Sequence, residues 1–150
     1  MKRFSQLASS EKRIELLRWL CVLPAGVLAE IVMRYLAGVV GQIAAYGGWS
    51  IRGEANTAFF LGLVLFYVLP KSAFVIAGAK TAPRRRMAPA IVLAVLGIGV
   101  SLLTHVVGQH LAGNRVGTVN YAHAAAESTG LLAGAACILW QIRASRREVR

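Results

Sequence analysis

Charge is what this chain is short of. Only 15% of its 150 residues are Asp, Glu, Lys or Arg, and no more than six of those are acidic. A soluble domain of this length carries nearer a quarter. Long polar stretches are missing as well, so no segment is long enough to build a separate folded domain in water. There are two cysteines, Cys21 and Cys137, with no CxxC pair and no spacing that suggests a disulfide framework. Both read as small apolar packers. No phosphate-binding glycine loop, nucleophile elbow or HExxH pattern occurs. Ser101 and Ser128 have nothing beside them in sequence to make either a nucleophile. These absences argue against a soluble enzyme, a redox dithiol protein and a disulfide-stapled secreted module. The expectation is a protein that is not an enzyme.

What the chain does have is apolar length. Hydrophobic residues make up 57% of it, and its mean hydropathy is +0.59. Four apolar runs stand out: Trp19 to Val40, Thr57 to Ala79, Ala88 to Leu111 and Val119 to Ile142. Each is near the roughly 20 residues that cross a bilayer as a helix. In hydrocarbon the backbone must satisfy its own hydrogen bonds, and a helix does so within one segment. The sequence therefore predicts an all-α integral membrane protein. It forms a single membrane domain over residues 1–150, with spans at about 19–40, 57–79, 88–111 and 119–142. The first run is too long for the apolar core of a signal peptide, so it reads as a retained anchor.

The formal net charge of +11 would suit nucleic acid, but its placement does not. Thirteen of the seventeen basic residues fall before the first run, between the second and third, or after the fourth. Only Arg52 and Arg115 lie on the opposite side, and Arg34 and Lys71 fall inside runs. Basic residues gather on the cytoplasmic face of membrane proteins. The expected arrangement is thus an up-down four-helix bundle in the inner membrane with both termini cytoplasmic. Its basic clusters would meet anionic lipid head groups. No nucleic-acid partner is expected, because no soluble basic surface can form.

Residues Ser10 to Arg18, reading SEKRIELLR, suggest a short interfacial helix capped by Ser10. Pro24 would kink the first span or mark its start. Trp49, in the glycine-containing loop after that span, suits the membrane interface. Lys71 follows Pro70 and reads as a side chain that snorkels toward the basic side.

Small and polar residues share faces. On the third span Ala90, Ala94, Gly97, Ser101, His105, Gly108 and Ala112 recur at three and four residues. On the fourth, His123, Glu127, Gly130, Gly134, Cys137 and Gln141 do the same, with a GxxxG pattern in GLLAG. Glycines let helices approach closely in lipid, where packing and polar contacts drive association. Gly97, Ser101, Gly108, Gly130 and Gly134 are the predicted helix-packing positions.

The same faces carry ionisable groups. At about 1.5 Å of rise per residue, Glu30, Arg34, His105, His123 and Glu127 all fall in the outer half of the membrane. His105 and His123 flank the third turn and are expected to face one another. Charged groups in a span are costly unless paired, and often functional. Counted as two acids against one arginine, the set requires a protonated acid or a charged histidine. The pairing expected is Arg34 with Glu127, and a histidine sharing a proton with Glu30. Three uses follow. The favoured one is a structural clasp within a small accessory or assembly subunit that works through contacts with other membrane helices or a second copy of itself. The second is a proton- or solute-coupled transporter or channel using the cluster. The third is a haem or metal site, with His105, His123 and Glu127 as candidate metal ligands. No cofactor is favoured by the sequence.

Overall fold

The computed structural model describes residues 2–46, 55–82, 86–111 and 118–148. They form α1 (Lys2–Tyr46), α2 (Ala55–Leu63), α3 (Leu69–Thr81), α4 (Met87–Leu111) and α5 (Thr118–Glu148). A single π-helical stretch, Val64–Val68, joins α2 to α3 without a break. Four helical stretches are long and apolar enough to cross a membrane: Arg13–Ile43, Phe59–Thr81, Met87–Gly108 and Tyr121–Ser145. The chain is all-helical over the described residues, apart from the turn positions 82 and 86. Trp49, Arg52, Asn114 and Arg115 lie outside them.

Helix α1 departs from expectation. There is no separate interfacial helix: residues 10–18 continue directly into the span, and Ser10 sits inside the helix rather than capping it. The reason is local. Between Ser10 and Trp19 the chain offers Glu, Lys, Arg, Ile and Leu, with no glycine or proline to stop propagation. Pro24 is also internal to α1, where it removes one backbone bond without ending the helix. The 31 residues of the first span reach about 46 Å at 1.5 Å each, beyond the roughly 30 Å of hydrocarbon.

Proline has more effect in the second span. Pro70 has no N–H to give, and its ring crowds the carbonyl four residues back. The backbone ahead of it widens to π geometry, with the Leu69 N–H bonded to the Val64 carbonyl. Such single π turns accommodate a disturbed helical ladder. At the other end, Ala82 is extended (φ −64°, ψ 135°) and stops α3. It precedes Pro83, which disfavours helical backbone in the residue before it.

The contacts define which helices are neighbours. A β-carbon on Gly26 would come within 2.8 Å of the Phe74 ring, and one on Gly78 within 3.0 Å of the Val22 carbonyl oxygen. Thus α1 and α3 pack closely and run in opposite directions. A β-carbon on Gly97 would press within 2.7 Å of Leu131, which joins α4 to α5 in the same antiparallel sense. On α5, Gly134 abuts Ser72 and Val75, and Gly130 abuts the backbone of Val68 and the side chain of Lys71. Here α3 and α5 run the same way. So α3 lies at the centre, with α1, α4 and α5 around it. The apolar core of Val22, Val75, Ala79, Leu93, Leu131 and Ile138 occupies the half of the bundle nearer the α3–α4 turn. The polar residues lie toward the other end.

Among the five predicted packing positions, a β-carbon on Gly97, Gly130 or Gly134 would press on a neighbouring helix. Ser101 is buried. Gly108 is the exception, with open space where its β-carbon would be. It lies past the point where α4 and α5 pack through Gly97 and Ser101.

Candidate functional site

Beyond the apolar core, ionisable side chains from all four spans meet in one network. Glu30 and Arg34 are one helical turn apart on α1. The Arg34 guanidinium donates to Glu30 Oε1 through Nε at 3.2 Å and Nη2 at 2.9 Å. On α3, Lys71 Nζ reaches the same oxygen at 2.9 Å. On α5, Glu127 Oε1 lies 3.8 Å from Arg34 Nη2. Its other oxygen, Oε2, lies 3.6 Å from His105 Nε2 on α4 and accepts a hydrogen bond from the Ser101 hydroxyl. Glu30 and Glu127 are 16% and 12% exposed as side chains, and Lys71 is 18% exposed, so these groups are largely withdrawn into the bundle. Arg34 is 42% exposed and forms the outer edge of the network.

Lys71 changes the electrostatics. Taken as a snorkelling cation, Lys71 would leave the cluster one positive charge short. Its ammonium instead turns inward onto Glu30. Two acidic side chains now face two basic ones, so the network is neutral by formal count. A neutral network suits a bilayer interior, where an unmatched charge costs at least about 2.5–3.5 kcal/mol. One signal for this was present in the sequence. Lys71 lies eight residues inside the end of the second apolar run at Ala79, about 12 Å by helical rise, which is deeper than a lysine stem reaches.

The expected pairings need revision at two points. Arg34 does touch Glu127, but it lies closer to Glu30. The histidine in the network is His105, and it pairs with Glu127 rather than Glu30. His123 is engaged elsewhere. Its ring stacks on Tyr67, centroids 4.5 Å apart and planes 12° from parallel. Tyr67 belongs to the π stretch that Pro70 induces, a partner that hydropathy and spacing could not have named. Each histidine of the expected facing pair therefore has its own partner. Among the described residues, no group of three His, Cys, Asp or Glu side chains is placed to hold a metal ion.

Two features surround the network. Ser72, one residue beyond Lys71, has its hydroxyl 2.8 Å from the Gly130 carbonyl of α5 and 2.9 Å from the Val68 carbonyl of its own helix. This ties α3 to α5 where Gly130 and Gly134 bring them together. On the outer side, an open groove of about 320 Å³ is lined by Arg34, Phe59, Gly62, Leu63, Phe66, Tyr67 and His123.

No known protein family, no curated protein and no solved structure matches this chain. What it does must be argued from the network and its surroundings.

Proposed function

We propose that this chain is a small non-catalytic protein of the inner membrane, an accessory or assembly subunit that acts by packing its helices against other membrane helices. Both termini face the cytoplasm, and the four spans alternate in direction. That orientation is supported by the thirteen basic residues grouped on one side. On this reading the ion network is a clasp that sets which helices lie together and at what depth.

The observation that carries the proposal is a set of glycines that the bundle does not use. A β-carbon at Gly38 on α1, or at Gly99 and Gly108 on α4, would meet nothing within 4 Å. A helical glycine costs about 0.5–1 kcal/mol relative to alanine. Within the bundle, Gly97, Gly130 and Gly134 offset that cost by close approach. At the outward positions an incoming helix is what would offset it, as small residues do at helix interfaces in lipid. Helix α1 leaves most of its apolar surface outward, including Leu20, Leu28, Ile31 and Tyr35.

Photo-crosslinking from Gly99 and Gly38 in intact membranes tests this. Discrete adducts with a membrane protein, or with a second copy of the chain, are expected from both sites. Adducts with lipid alone would refute the proposal. A second reading, a proton- or solute-coupled transporter, draws support from the groove that opens beside Arg34. Flux through proteoliposomes that is lost in Glu127→Gln would favour it.

A further inference from the structure

The groove beside the ion network has a chemistry of its own. Its lining falls within the membrane-spanning lengths of α1, the second span and α5, so a molecule dissolved in the bilayer can reach it. Its polar lining is Arg34, Tyr67 and His123. Arg34 has only donors, and the tyrosine hydroxyl and an imidazole nitrogen can each donate. The rest is apolar and largely aromatic, with Phe59 and Phe66 on the second span. Gly62 leaves part of the wall without a side chain. The stacked Tyr67 and His123 rings lie nearly parallel, at 12°.

Charge decides between classes of ligand. Glu30 and Glu127 already balance Arg34 and Lys71. An anionic head group would add an unmatched negative charge beside Glu30 and Glu127, a costly change at membrane depth. A neutral molecule with strong hydrogen-bond acceptors and no charge fits better. A planar ring suits the aromatic lining, and a volume of about 320 Å³ is at the small end of the roughly 300–1,000 Å³ of ligand pockets, enough for one ring. We propose that this groove binds the ring of a lipid-soluble quinone, its carbonyl oxygens accepting from the donors of Arg34, Tyr67 and His123 and its tail leaving along the bilayer. The proposal is one of binding and does not rest on the accessory-subunit reading.

The test uses the purified full chain in detergent, titrated calorimetrically with a decyl-substituted benzoquinone and, separately, with decanoate. Saturable binding of the quinone is expected, accompanied by a rise in Tm, with no saturable binding of decanoate. Gly62→Leu extends into the groove from a position where a β-carbon meets nothing within 4 Å. It should keep the unliganded Tm of the parent and weaken quinone binding by about ten-fold or more. Phe59→Ala removes an exposed ring whose aromatic neighbour is Phe60 and should weaken binding without unfolding the chain. Absence of saturable quinone binding by the parent protein overturns the proposal. So does parental affinity in both variants. Saturation by decanoate in preference to the quinone overturns the ligand class.

Discussion

Replacing Lys71 tests the network at the point where it differs most from a simple arginine–glutamate pair. Lys71→Met keeps much of the stem and removes the ammonium 2.9 Å from Glu30 Oε1. Breaking a fully buried ion pair from one side costs about 3–5 kcal/mol, because a charge is left behind. Here Arg34 remains on the same oxygen at 2.9 Å, and the Glu30 and Lys71 side chains keep 16% and 18% exposure. The expected loss is accordingly smaller, about 2 kcal/mol. Neutralising both partners, as Glu30→Gln with Lys71→Met, leaves Arg34 facing Glu127 and restores the balance of charge. The double variant should lose less than the sum of the single losses, with a coupling of about 1–2 kcal/mol. Reversible unfolding of the four proteins in one detergent, followed by circular dichroism, measures the cycle. Additivity within about 0.3–0.5 kcal/mol would mean that Lys71 and Glu30 do not interact, and the formally neutral network would be wrong.

The glycines give a paired prediction. Gly134→Ala places a β-carbon within 2.8 Å of the Ser72 carbonyl and 3.0 Å of Val75, which should cost about 1–3 kcal/mol in the same assay. Gly108→Ala meets open space and should be neutral or slightly stabilising, in line with alanine's better helix propensity of up to about 1 kcal/mol. Equal effects at the two positions would contradict the packing of α3 against α5. Glu127→Gln can still accept from Ser101, whereas Glu127→Ala removes that bond and the contact with His105. The alanine variant should therefore be the less stable in thermal unfolding, and the reverse order would show that the Ser101 bond contributes nothing. Reporter fusions at Gly48 and Asn114 should both read as external, and a cytoplasmic signal at either would overturn the orientation.

Hydropathy made the four spans legible, because hydrocarbon admits few alternatives to a helix of about 20 apolar residues. Spacing at three and four residues picked out Gly97, Gly130 and Gly134, and depth grouped Glu30, Arg34, His105 and Glu127. Two of the differences, at Lys71 and Tyr67, have a common physical origin. Helical rise gives the depth of a residue but says little about which way it faces once the helix is disturbed. The π turn ahead of Pro70 shifts the facing of everything after it, and no periodicity written for a regular helix anticipates that. Lys71 turned inward and Tyr67 came against His123 at that disturbance. Gly108 is a different case: it keeps the spacing of the stripe, but a β-carbon there meets nothing within 4 Å. The unbroken α1 shows that a capping residue does not start a helix when the residues before it are already helical.

Native mass spectrometry of the protein, drawn from membranes at its natural expression level in nanodiscs, tests the central proposal most directly. The 16.1 kDa chain is expected in a complex of defined stoichiometry with another membrane protein or with further copies of itself. Gly99→Leu should weaken that complex without lowering the stability of the isolated chain, since a β-carbon at this position meets nothing within 4 Å. A solitary 16.1 kDa species under those conditions would contradict it.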